Sequence, residues 1–148
     1  MANVNGTYYA KQADPSSDNI LDRGVLRGKV RVMFDTYEFA STVAGTTVNI
    51  GKDLKAGDRI LDVWLIADAM GDAGVSFEVG DSDDADRYIS ATAQNTGNLR
   101  TDLDKIDGFN YEIGTNDGDE TILVTTSSTS GNHLATGTLK VAVLYTEG

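Results

Sequence analysis

The sequence predicts an all-β fold, an antiparallel β-sandwich of Greek-key or jelly-roll type preceded by an extended N-terminal arm. Three observations carry this. Apolar and polar residues alternate with a period of two over many short runs, glycine and aspartate turns separate those runs, and no amphipathic helix lies between successive runs as a parallel α/β sheet would require. The 148 residues suit one core, and 16 glycines supply the turns that short strands need. We divide the chain into an irregular arm, residues 1–27, and one sandwich domain, residues 28–148.

The arm shows neither strand nor helix periodicity and contains the turn-forming cluster Asp14-Pro15-Ser16-Ser17-Asp18. Its Tyr8 and Tyr9 are large amphipathic side chains that seek an apolar surface, on their own domain or on a neighbour. From Gly28 the β pattern begins. Val30, Val32 and Phe34 alternate with Arg31, Met33 and Asp35, and Tyr37 and Phe39 continue on the opposite parity, which predicts a bulge near Asp35 or Thr36. Thr46 to Ile50 is a second short run, and Lys55-Ala56-Gly57-Asp58 is a turn before the strongest strand.

That strand, Arg59 to Asp68, places Leu61, Val63, Leu65 and Ala67 on one face and Ile60, Asp62, Trp64, Ile66 and Asp68 on the other. Both faces carry large apolar groups, so the strand is either central and covered on both sides or presents Trp64 and Ile66 to a partner. Val75, Phe77 and Val79 form the next run, which the Gly71-Asp72-Ala73-Gly74 connection predicts as an adjacent antiparallel partner. Arg87 to Ala91 reads as a short strand, and Leu99, Leu103 and Ile106 permit a helical turn. Phe109, Tyr111 and Ile113, the turn Asn116-Asp117-Gly118-Asp119 and the run Thr121 to Thr126 read as a hairpin. Leu139, Val141, Val143 and Tyr145 close the chain with a strand, for about eight in all.

A net charge of −11 and a pI near 4.3 create a field that repels phosphates, so direct nucleic-acid binding is not expected. The absence of cysteine removes disulfides, thiolate metal sites and cysteine nucleophiles. No apolar run is long enough to span a bilayer as a helix, and the first residues lack a basic segment followed by an apolar one, so no membrane partner is expected and the product is expected to be intracellular when synthesised.

Chemistry finds little purchase. The single histidine, His133, sits in the polar run Ser127-Ser128-Thr129-Ser130-Gly131-Asn132, and no Gly-x-Ser-x-Gly elbow accompanies it, so we read a polar loop rather than a triad. Asp81-Ser82-Asp83-Asp84-Ala85-Asp86 gathers carboxylates as a Ca²⁺ loop does. It departs from that loop at Ala85, where a polar ligand belongs, at Asp86, where glycine belongs, and at Thr92, where a bidentate glutamate belongs. A solvated acidic loop is the simpler reading, with an irregular cation site at Asp81, Asp83, Asp84 and Asp86 as the alternative. Trp64, Tyr88, Phe109 and Tyr111 are available for sugar stacking, but their place in alternating strands favours core packing. No enzyme activity and no cofactor are expected.

Three stretches, Ala56-Gly57-Asp58-Arg59-Ile60-Leu61-Asp62-Val63-Trp64, then Val79-Gly80-Asp81 with Asp86-Arg87-Tyr88-Ile89, then Thr136-Gly137-Thr138-Leu139-Lys140-Val141-Ala142-Val143-Leu144-Tyr145, resemble small β-sandwich proteins of tailed-phage virions. The resemblance covers roughly the C-terminal two thirds and leaves out the arm. It implies a structural virion role, as a capsid decoration or cement subunit or a head or tail accessory subunit. Expected partners are capsid or other virion proteins and further copies of the chain, as a homo-oligomer such as a trimer, with Tyr8, Tyr9, Trp64 and Ile66 as contact residues. A receptor- or glycan-binding module of a tail or adhesin is the alternative.

Overall fold

The computed structural model describes residues 29–40, 45–68, 75–93, 98–100, 108–114, 120–128 and 136–148. They form nine strands: β1 (Val30–Phe39), β2 (Thr47–Leu54), β3 (Arg59–Ala67), β4 (Val75–Gly80), β5 (Ile89–Ala93), β6 (Asn98–Arg100), β7 (Tyr111–Glu112), β8 (Glu120–Ser128) and β9 (Gly137–Thr146). No helix occurs among the described residues. The arm, Tyr8, Tyr9 and His133 lie outside them.

Two antiparallel sheets result. The first runs β1-β9-β3-β6, with β7 also on β3; the second runs β2-β8-β4-β5. β6 and β7 divide one edge of β3, β6 pairing with Trp64 to Ile66 and β7 with Arg59 and Ile60. The expected sandwich is therefore present, but its connections differ from the hairpins read in the sequence. β3 and β4 lie in different sheets, as do β7 and β8, so neither pair forms the hairpin expected; the turn residues 71–74 and 116–119 themselves lie outside the described residues. β4 and β5, by contrast, are neighbours in both chain and sheet.

The alternation in β1 also resolves differently. Its pairing with β9 is unbroken from Val30↔Thr146 to Phe39↔Gly137, so no bulge lies at Asp35 or Thr36. Met33 and Phe39 point inward while Val30, Val32 and Phe34 point out. The register breaks occur instead in β2, β3 and β4. The break between Ile60 and Asp62 turns Ile60 inward, so Ile60, Val63 and Leu65 face the core while Asp62, Trp64 and Ile66 share the outer side. The stretch around Leu99 is strand β6 rather than a helical turn.

The core fills the space between the inner faces. Phe39 of β1 meets Phe77 of β4 across the sandwich at 6.0 Å between ring centroids, and Tyr37 packs edge-on against Phe39 at 4.8 Å. Ile60, Val63 and Leu65 of β3, Val141 and Val143 of β9, and Ile122 and Val124 of β8 complete it, all buried. Each such side chain contributes roughly 1.5–3 kcal/mol by leaving water. The turn before β3 closes as the sequence implies. Gly57 has φ +92°, which glycine adopts without a Cβ penalty, Asp58 N–H donates to the Lys55 carbonyl (2.9 Å), and Lys55 N–H donates to the Asp58 carboxylate (3.0 Å).

Candidate docking surface

The outer side of the first sheet is apolar where a solvated sheet face would be polar. Register places Phe34, Ala142 and Trp64 in one row across β1, β9 and β3, with Val32, Leu144 and Asp62 in the row on one side and Thr36, Lys140 and Ile66 in the row on the other. Phe34 is 76% exposed, Ile66 50% and Trp64 39%, whereas Ala142 between them is only 7% exposed. Val30 and Val32 extend the surface along β1. The Trp64 indole N–H donates to the Asp62 carboxylate at 2.7 Å, which fixes the ring's orientation on the face. Contiguous exposed apolar surface on a rigid sheet, rimmed by Glu38, Asp62, Asp68 and Lys140, has the make-up of a contact area rather than of scattered surface residues.

The structure thus brings Trp64 and Ile66 together on one open face and does not cover that face with other described residues. Sequence reasoning missed Val30, Val32 and Phe34 as part of it. The available signal was the polar continuation of their parity into Thr36 and Glu38, set against Met33, Tyr37 and Phe39 on the other.

The acidic loop after β4 is held from within. The Asp81 carboxylate is buried and accepts five hydrogen bonds: from Arg87 Nε (2.5 Å) and Nη2 (3.1 Å), the Tyr88 hydroxyl (3.1 Å), and the N–H groups of Asp83 (3.2 Å) and Asp84 (3.0 Å). Arg87 in turn lies over the Tyr111 ring at 4.1 Å. Burial pulls the Arg87 pKa down, but the hydrogen bonds and charge of Asp81 outweigh it, so the guanidinium is held above its ordinary value. Burial pushes the Tyr88 phenol up, and the Asp81 charge and hydrogen bond add to that. The next residue, Ser82, donates to Glu120 of β8 at 2.9 Å, tying the loop to the second sheet. The Asp84 and Asp86 carboxylates do not converge with Asp81 on a common point, and no group of three potential ligands forms among the described residues.

Of the aromatics considered for sugar stacking, Tyr88 is buried in the core and Tyr111 packs against it partly buried, while Phe109 and Trp64 are exposed. Phe109 belongs to the turn before β7 and stands apart from the row of Phe34 and Trp64.

No family model and no curated protein matches the chain. Solved structures do. A chain in the capsid asymmetric unit of cyanophage Pam1 aligns with a TM-score of 0.63 at 22% identity over 82% of this chain and 86% of that one. One in the capsid of Ralstonia phage GP4 gives 0.60 at 16% identity, covering 82% and 86%. One in the acid-stable capsid of Helicobacter pylori bacteriophage KHP30 gives 0.57 at 12% identity, covering 79% and 86%. The shared feature is the two-sheet β-sandwich.

Proposed function

We propose that the chain is a non-enzymatic structural subunit of a viral particle, a capsid decoration or cement protein that stabilises the head by contacts to neighbouring subunits. The observation that carries this reading is that chains of nearly the same length in three phage capsids share the fold over most of both partners. The strand order β1-β9-β3-β6 facing β2-β8-β4-β5 supports it, since a jelly roll, an architecture that recurs in viral capsids, would also set two four-stranded antiparallel sheets face to face. The open row of Phe34, Trp64 and Ile66 supplies the contact surface, and the arm with Tyr8 and Tyr9 a second one. Weak contacts repeated over a lattice add through effective concentration, so no single site has to be strong. Association as a homo-oligomer, with three copies about a local symmetry axis, fits this mode.

Co-sedimentation with heads of the virus that carries the sequence tests the proposal. Saturable attachment that raises the temperature of head disruption is expected, and Phe34→Ser and Ile66→Thr weaken it while the isolated chain keeps its fold. Heads that neither bind the chain nor gain stability refute it. The exposed Phe109 favours a second reading, a receptor- or glycan-binding module, since jelly rolls also occur in lectins. Reproducible sugar binding on a glycan array that is lost in Phe109→Ala, without attachment to heads, selects that reading instead.

A further inference from the structure

We infer that β1 is a strand-pairing edge: a second copy of the chain adds its own β1 antiparallel to it about a twofold axis, joining the first sheets of two subunits into one. The inference concerns the isolated chain and a twofold contact, so it stands or falls apart from the virion reading and from any association in threes.

The sheet order gives β1 a neighbour, β9, on one side and no described strand on the other. The parity of β9 decides which backbone groups face the open side. The Thr138 carbonyl accepts from Asp68 N–H (3.0 Å), so the even-numbered residues of β9 turn toward β3 and the odd-numbered ones toward β1. Their partners are the odd-numbered residues of β1, in a ladder without a break. Val30, Val32, Phe34, Thr36 and Glu38 therefore direct N–H and C=O to the open side. Thr36 agrees with this, because its N–H donates to the Asp35 carboxylate at 2.7 Å. Open edges are usually blunted by bulges, proline or shortness. β2 breaks register between Ile50 and Leu54, around Gly51 at φ +66°, and β5, β6 and β7 span five residues or fewer. β1 runs ten residues with no proline, glycine or register break.

Charge selects the occupant and its direction. The strand is basic where it starts, at Lys29 and Arg31, and acidic toward its end, at Asp35 and Glu38. Two copies laid parallel set like charges together, whereas antiparallel copies set opposite ones together. With the twofold axis at Met33, Arg31 of each copy stands directly across from Asp35 of the other. The same register opposes Val32 to Phe34 as a hydrogen-bonded pair, and these side chains are 48% and 76% exposed in the single chain. A net charge of −11 on each copy works against association. Screening over about 8 Å at physiological salt weakens that distant repulsion far more than the charge pairs at the contact.

Sedimentation equilibrium of the full chain at physiological salt, over a rising concentration series, tests this, with circular dichroism as the check on folding. The mass is expected to pass from one subunit to two. Val32→Pro removes an N–H that β9 does not use, so the fold survives while the association constant falls by about tenfold or more. Arg31→Glu and Asp35→Lys each set like charges across the contact and weaken self-association by about tenfold, whereas an equimolar mixture of the two variants restores it, because every charge then faces its opposite. The Asp35 carboxylate also accepts from Gly51 N–H at 2.7 Å. Should Asp35→Lys fail to fold, Val32→Pro and Arg31→Glu decide. A mass that stays at one subunit overturns the inference, as does association that Val32→Pro leaves intact. Charge variants that self-associate as well as the intact chain, or a mixture that associates no better than its components, overturn the register.

Discussion

Asp81→Asn is the substitution with the largest expected effect outside the apolar core. The wild-type carboxylate satisfies five donors, three of them side-chain donors from Arg87 and Tyr88. An amide keeps the shape but replaces one acceptor oxygen with a donor. If its oxygen stays with the Asp83 and Asp84 N–H groups, its NH₂ confronts Arg87 Nε, and the guanidinium loses its counter-charge while only 13% of its side chain meets solvent. Breaking such a pair from one side costs more than forming it gains, because the remaining charge stays desolvated. The loss is about 3 kcal/mol, or about 10 °C in Tm for a chain of this size. By contrast Arg31→Ala removes an ion pair to Glu147 whose side chains are about half exposed, and it shifts stability by at most about 0.5 kcal/mol. Urea unfolding followed by circular dichroism measures both. The same titrations with added Ca²⁺ show no change in either protein, since Arg87 already supplies the cation that Asp81 faces. A loss below about 1 kcal/mol for Asp81→Asn, or a rise in wild-type Tm with Ca²⁺ that the variant lacks, would falsify this account of the loop.

Three further outcomes follow from the geometry. Gly80→Ala drives a Cβ into the backbone of Asp84 and Ala85, which cannot yield without reopening the loop, and it is expected to cost about 2 kcal/mol or more in chemical denaturation. Leu65→Ala empties a fully buried site on β3 and costs about 2–5 kcal/mol, whereas Ile66→Ala, one residue on and half exposed, costs under about 1 kcal/mol; a comparable loss from both contradicts the assignment of faces. Because the Tyr88 phenol is raised in the folded chain, unfolding releases its proton above the ordinary tyrosine value. Stability is then fully present below about pH 10 and falls as pH rises beyond it, by up to about 1.4 kcal/mol per pH unit from this group. Tyr88→Phe is expected to flatten that alkaline limb in pH-dependent unfolding, and an unchanged slope refutes the assignment.

Two-residue periodicity made most strands legible, because an inward side chain and its outward neighbour differ in polarity along β4 and β9. Partners were another matter. Gly71-Asp72-Ala73-Gly74 and Asn116-Asp117-Gly118-Asp119 have the composition of tight turns, yet the strands that flank each belong to opposite sheets, and nothing local distinguishes a reversal within a sheet from a passage between sheets. In β1 the pattern misled because both faces are apolar: Val30, Val32 and Phe34 mimic a core stripe, and the inward Met33 and Phe39 then look like a change of parity. Trp64 and Ile66 were identifiable as candidates for an open face, since Asp62 and Asp68 share their parity. The same strand pattern favoured core packing for Tyr88, which is buried, and for Trp64 and Phe109, which are exposed; what it did not show is that Asp81 and Arg87 fold around the Tyr88 hydroxyl.

The place of β9 in the first sheet also governs when the apolar row comes into being. β1 and β3 do not touch one another as partners; β9, the last of the described strands, inserts between them and supplies Ala142 to the middle of the row. Pairing β1 with β9 closes the longest loop between any two paired strands among the described residues, which makes it a late and slow event in folding. Phe34 and Trp64 therefore come into one row only once β9 has paired with both β1 and β3, so the surface is a product of the final closure of the sheet and not of any local hairpin.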